Sequence, residues 1–445
     1  MLASAWLAER SSPVGAATHD GLVRDPKGVL DLPAGFSYRV LSRSGERMSD
    51  GFVVPGKPDA MGVFGIAEGW ALMRNHEVPP GMRGLGPYPE GTSPPKEAYD
   101  DAGYGGVTRV VVDPRTLAVR SRNLVLAGTH WNCAGGLSPW GWLSCEELVI
   151  PRHGYVFLAS AQADRIQPAQ RILGYGRFHH EAAAVDPGTR RAYLTEDRED
   201  SAFYRFVPHD PAQPFAGQLQ ALRVVGHPRF DTNLMKTGES HEIDWVDIPE
   251  PNPADDSVRF QAFERGAARF VRGEGLWLDG TDLYCCATAG GPIGRGQIFR
   301  IRHAGTSMRL TLLVQTTDTS VLDMPDNITV APDGQLFVAE DGLGGNFIRR
   351  ISATGEVSDF ARNALSYSEF AGPCFSPDGS TMFVNIQHNG LTLAIRGPFR
   401  DLPGARIDRS TSSAWPLPKG LAGIGVGAAV LALATLDRRR RTKDT

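Results

Sequence analysis

The sequence predicts an all-β chain folded as a six-bladed β-propeller, with an N-terminal arm and a C-terminal hydrophobic helix. Three observations carry the prediction: a repeat of blade length, a tight turn inside each repeat, and abundant glycine (51) and proline (32) in 445 residues. That composition suits short strands joined by turns better than helix bundles. Four segments share one plan, in which an acidic residue precedes an apolar run, an Asp-Pro or Asp-Gly turn, and a second β-rich run. They are EAAAVDPGTRRAYLTED from Glu181, EGLWLDGTDLYCCAT from Glu274, DNITVAPDGQLFVAED from Asp326 and EFAGPCFSPDGSTMFVNI from Glu369. The last three begin 52 and 43 residues apart, close to the ~40 to 50 residues of a propeller blade. Proline fixes φ and glycine permits positive φ at the turns, so each unit reads as a hairpin.

Two earlier stretches, from Val107 and from Gly141, follow the plan more loosely and bring the expected number of blades to six. Residues 1–30 read as an arm, 31–400 as the propeller, 401–418 as a polar linker, and 419–445 as a hydrophobic anchor or sorting segment with an Arg-rich tail. Within that tail, residues 420–436 are uncharged and precede Arg438 to Arg441. Read as a membrane helix, the segment leaves its arginines on the cytoplasmic side and the propeller outside. The first residues contain neither an apolar signal core nor a twin arginine, so an extracytoplasmic location rests on the other end.

Composition narrows the function. With 41% hydrophobic and 22% charged residues the chain can bury a substantial core. A net charge of −4 gives nucleic acid no electrostatic support. Five cysteines cannot all pair within one chain, and none falls in a C-x-x-C zinc pattern.

The repeat has a chemical consequence. If its acidic residue opens the same strand in each blade, Glu181, Glu274, Asp326 and Glu369 converge on one channel mouth. Converging carboxylates require a cation between them or must take up protons. Hard oxygen donors suit calcium, magnesium, manganese or ferric iron. RNHE from Arg74 adds Glu77, and LSCEE from Leu143 places Cys145 beside Glu146 and Glu147. A thiolate in acidic surroundings needs a strong positive charge, which a metal supplies.

A family resemblance now becomes visible. DPKGVLDLPAGFSYRVLSRSGE from Asp25, RNHE, SPWGWLSCEE from Ser138, RFHHEAAAVDP from Arg177, TEDREDSAFYRFVP from Thr195, MPDNITVAPDG from Met324 and GPCFSPDGSTMFVNIQHNG from Gly372 occur in order. Together they resemble the PhoX family of alkaline phosphatases, over residues 25–390. The resemblance implies a propeller enzyme that hydrolyses phosphate monoesters with ferric iron, Fe(3+), and calcium, Ca(2+). It implies a cysteine ligand at Cys145 and further ligands at Glu77, Glu146, Glu181, Glu274 and Glu369, with Asp326 and Asn327 beside them. Arg362, and after it Arg198, are the arginines expected to clamp the phosphate. The chain reads as a monomer working outside the cytoplasm; its C-terminal segment, read as holding it to the membrane, is a departure from what the family pattern leads one to expect. A calcium-dependent propeller lactonase or esterase would dispense with iron and with Cys145. A surface-binding propeller would keep its metals for structure alone.

Overall fold

The computed structural model describes residues 21–304 and 307–403. The chain opens with β1 (Leu22–Val23), β2 (Leu30–Pro33) and β3 (Ser37–Arg43). The first complete sheet is β4 (Pro58–Ile66), β5 (Gly69–His76), β6 (Gly105–Val112) and β7 (Val119–Thr129). The second is β8 (Asn132–Ser138), β9 (Gly141–Glu146), β10 (Val156–Ala159) and β11 (Gln170–Arg171). There follow β12 (His180–Val185), β13 (Ala192–Glu196), β14 (Tyr204–Pro208), β15 (Gly217–Val224) and β16 (Ser240–Asp247). After a short helix, Val258–Glu264, come β17 (Gly273–Asp279), β18 (Asp282–Ala287), β19 (Gln297–Ala304) and β20 (Ser307–Gln315). The last strands are β21 (Pro325–Val330), β22 (Leu336–Glu340), β23 (Phe347–Ile351), β24 (Val357–Asn363), β25 (Phe370–Phe375), β26 (Thr381–Ile386) and β27 (Leu391–Arg396).

The strands are antiparallel and propeller-like, but the expectation of six separate blades is corrected by their pairing. The described strands form five hydrogen-bonded sheets, of which three have four strands. One sheet has nine because β16 pairs with both β15 and β20, fusing what the repeat suggested were separate units. Another has six because β1, from the expected arm, and β2, from the first residues of the expected propeller, add onto β24. The expected C-terminal hydrophobic helix falls outside the described residues. Of the two units into which the chain divides, Met1–Ser412 and Ser413–Thr445, the second lies outside them entirely. Among the described residues no helix is long and apolar enough to cross a membrane.

Strand patterning follows burial. Inner strands such as β12 and β21 are buried along their whole length, so they read as continuous runs rather than alternating ones. The outer β20 alternates apolar and polar residues because one face meets solvent. The N-terminal β3 pairs with β27 and so closes the last sheet with a strand from the other end of the chain. Apolar side chains packed between sheets, among them Trp142, Phe157, Phe203 and Phe299, form the core. All five cysteines are buried and free.

Candidate metal centre

The strands β4, β8, β12, β17, β21 and β25 contact one another in sequence, and β25 contacts β4. Each departs from regular pairing at the same place, directly after its first residues: Pro58/Met61, Asn132/Gly135, His180/Ala183, Gly273/Leu276, Pro325/Ile328 and Ala371/Cys374. A bulge leaves residues unpaired and re-aims their side chains. The residues freed in this way are Asp59, Cys133, Glu181, Glu274 and Asp326, with Gly372 at the sixth position. Small residues follow because the inner strands crowd together. A Cβ on Gly275 would meet the Asp326 carbonyl oxygen at 2.5 Å, and one on Gly372 the Asp59 carbonyl oxygen at 2.7 Å.

A second set stands one residue past the neighbouring strand: Glu77, Glu147, Asp197, Thr288, Asp341 and Gln387. The amide of each donates to the carbonyl of the residue that precedes the inner strand, respectively Lys57, Trp131, His179, Arg272, Met324 and Glu369. Of these preceding residues, Lys57, Trp131, Arg272 and Met324 adopt φ of 43°, 46°, 52° and 49°. Non-glycine residues adopt this left-handed conformation at a cost, and it concentrates at functional sites.

The side chains converge closely. Donor atoms of Cys133, Glu147 and Glu181 lie within 4.8 Å of one another, as do those of Glu181, Glu274 and Asp326. Burial pushes the carboxyls of Glu147, Glu181, Glu274 and Asp326 well above their ordinary range, and neighbouring acids push further. Asp59 rises to about 8, through burial first and then the charge of Glu77. The Cys133 thiol is raised by burial and by Glu181, Glu147 and Asp59. Two cationic side chains oppose this negative charge. Burial alone would lower the Lys57 ammonium, but Glu77, Glu369 and Asp59 outweigh it and raise its pKa. Arg272 grips Asp197 through Nε at 2.9 Å and Nη2 at 2.6 Å, and reaches Glu274 Oε1 at 2.9 Å. Two cations do not balance this number of acids, and a donor set of buried carboxylates with one thiol suits bound metal cations.

The structure brings Glu181, Glu274 and Asp326 together, and it redistributes the other expected ligands. Cys145 is not brought to this centre: it shares an apolar cluster with Cys133, Leu143, Val156 and Tyr175, but burial alone raises its thiol pKa. Cys133 occupies the centre instead, its Sγ 3.3 Å from the His180 carbonyl oxygen. Glu146 is likewise not brought to it, whereas Glu147 is. Glu146 points into its own sheet, accepting from the amides of His130 and Gly154, both at 3.0 Å, with His153 Nδ1 at 2.7 Å. Glu196 and Glu340 hold the same strand position and likewise accept from loop amides, Ala202 for one and Phe347 for the other. These carboxylates tie loops down. Glu146→Gln is therefore expected to cost stability, about 1–3 kcal/mol for disturbed buried hydrogen bonds, while metal content stays at the wild-type level. Calorimetry and elemental analysis on the same preparation would check both halves.

The remaining expected residues sit at the margin. Glu77 accepts from Lys57 Nζ at 2.7 Å, from Gln387 Nε2 at 2.8 Å and from the Trp131 indole. Glu369 precedes β25 rather than lying within it, 3.6 Å from His388 Nδ1. Asn327 turns its amide oxygen to the Gly372 N–H. Arg362 sits on β24, the fourth strand out from the axis, in a buried pair with Asp31 at 2.7 Å. Arg198 is half exposed at the rim, 3.3 Å from Asp256, which Arg259 and His179 also approach. Arg272 is the arginine that reaches the centre. Asp59, Cys133, Glu147, Asp197 and Arg272 were thus missed as site residues. The signal that could have found Cys133 is its local pattern, since Cys133-Ala134 repeats the Asp59-Ala60 and Glu181-Ala182 pairing of a donor with a small residue.

A propeller-like scaffold whose inner strands gather acids and a thiol beneath a cationic rim defines a metal-dependent enzyme. The family model of alkaline phosphatase PhoX matches residues 18–124 and 116–390. The chain belongs to the PhoX family of alkaline phosphatases, and it hydrolyses phosphate esters in a metal-dependent way. Among solved structures it is similar to Pseudomonas fluorescens PhoX in complex with vanadate, a transition state analogue. That match has 20% identity and a TM-score of 0.65, covering 89% of this chain and 99% of the other. It also resembles a gluconolactonase from Xanthomonas campestris, with 12% identity and a TM-score of 0.43 over 86% of this chain and 99% of that one. No curated protein matches.

Proposed function

We propose that the chain is a phosphate monoesterase whose cations are Fe(3+) and Ca(2+), held by Cys133, Glu147, Glu181, Glu274 and Asp326, and that it works outside the cytoplasm. The observation that carries this reading is the convergence of those donors in two triads that share Glu181, Cys133 with Glu147 and Glu181, and Glu181 with Glu274 and Asp326, each within 4.8 Å. Bound there, the cations neutralise charge on the non-bridging phosphate oxygens and the leaving oxygen. The thiol of Cys133 favours a centre that includes a softer metal than calcium, and so favours the phosphatase over a calcium-only lactonase.

The chain's own residues position the ester. Arg272 is fixed by Asp197 and Glu274, and its Nη1 makes no hydrogen bond among the described residues. A guanidinium anchored on one edge and open on the other suits a planar contact to phosphate oxygens. Arg198, half exposed beside Asp256, suits the approach of an anionic substrate. One chain supplies the whole donor set, so turnover requires no second copy.

Iron and calcium should be found in the purified protein, and hydrolysis of p-nitrophenyl phosphate should stop on chelation and return on resupply. Full activity in protein stripped of metal would sink the reading. A pH effect accompanies metal removal. The folded-state pKa values of the central acids lie above the ordinary 3.8 and 4.5, with Asp59 at about 8. Their contribution to stability is present below the ordinary carboxylate range and is lost as pH rises through the folded values. The Tm of metal-free protein is therefore expected to fall between the ordinary carboxylate range and pH 8, and saturating cations should flatten the profile. A metal-free Tm that holds or climbs over that window would count against the shifted acids.

A further inference from the structure

The sector between β4, β5 and β25 differs from the rest of the centre. Around Glu147, Glu181 and Asp326 acids face acids and Arg272 engages Asp197 and Glu274, whereas here an ammonium sits among the carboxylates. Lys57 precedes β4 with a φ of 43°, and its side chain is only 14% exposed. Its Nζ lies 2.7 Å from Glu77 Oε2. Both Glu77 oxygens are satisfied, Oε1 by the Trp131 indole and Oε2 by Lys57 and Gln387. Gln387 Nε2 also donates to Asp59 Oδ2 at 3.0 Å. Asp59 and Glu77 therefore share donors from the protein itself. Among the described residues, the donor triads drawn to within 4.8 Å of one another lie in the other sectors, around Glu181.

We propose that Lys57 is a built-in cation that takes the place of a metal ion between Asp59, Glu77 and Glu369. An ammonium is a compact point charge with several donors, able to sit where carboxylates would otherwise coordinate a hard divalent ion. The left-handed backbone at Lys57 makes the placement part of the fold rather than a surface accident. The chain then binds one divalent ion fewer than its carboxylates would accept without the lysine.

The proposal rests on the metal-centre reading above, and one experiment separates the two. Wild type, Lys57→Met and Lys57→Arg are loaded with iron and calcium, dialysed and analysed for metal per chain. Their Tm values are then followed as calcium is titrated. Lys57→Met, which keeps most of the side-chain length without the charge, should gain one calcium per chain and a calcium-dependent rise in Tm. Lys57→Arg should keep the wild-type content. The double variant Lys57→Met with Glu77→Gln should gain no ion, because one acid is removed together with the ammonium. Wild-type metal content and calcium response in Lys57→Met overturn the proposal, and so does a Lys57→Met protein that no calcium concentration can fold. A wild type that retains no metal after loading would instead overturn the metal-centre reading.

Discussion

Cys133→Ser is expected to strip the softer metal from the centre and to lower kcat/KM by about 100-fold or more. Disturbing the groups that merely support a metal's ligands already costs about 10- to 100-fold, and here a donor itself is exchanged. A serine hydroxyl does not ionise at working pH and binds poorly where a thiolate is required. The propeller should stay folded, because Cys133 is one small member of an apolar cluster whose other side chains are unchanged. Cys145→Ser is the matched control. It buries a hydroxyl among apolar neighbours, which costs about 1–3 kcal/mol of stability, yet metal content and kcat/KM should stay at wild-type levels. Elemental analysis and steady-state kinetics on the pair decide the assignment. Iron lost from Cys145→Ser but kept in Cys133→Ser would reverse it.

Arg272→Ala carries the second large effect, a fall in kcat/KM of about 10²- to 10³-fold, or ~3–4 kcal/mol of transition-state stabilisation. In the proposed reading the guanidinium meets the ester, and in the structure it pairs with Asp197 and Glu274. Arg272→Lys separates these roles, since a point charge keeps attraction to phosphate but gives up the paired contact with Asp197. Its defect should fall mainly on kcat, with metal content unchanged. For Arg362→Ala the loss should be in stability, because the variant leaves Asp31 buried without its guanidinium partner. If kcat/KM collapses in Arg362→Ala and holds in Arg272→Ala, the phosphate contact has been placed on the wrong arginine.

Much of the architecture was legible in the chain itself. Turn residues at blade spacing specify hairpins, and the acidic residues at Glu181, Glu274 and Asp326 identify the ends that converge. The number of sheets was not legible, because β16 bridges two units through backbone hydrogen bonds that no side-chain pattern announces. Glu369 was placed in register with the other acids, but its strand begins one residue later and the equivalent bulge falls at Gly372. Cys145 lies among apolar side chains on β9 whereas Cys133 is on β8, and Glu146 differs from Glu147 by a single position. Successive strand residues face opposite ways, so an offset of one residue exchanges a site-facing side chain for one that braces a loop.

The sequence by itself determined that short antiparallel strands would bring carboxylates to a common axis, since hydrophobic runs, turn chemistry and recurring acids are local properties. Only the tertiary structure decided which donors meet there. A bulge in each inner strand re-aims particular residues, and the match of Cys133, Glu147 and Arg272 to that axis depends on chain segments that are far apart in sequence and touch only after folding.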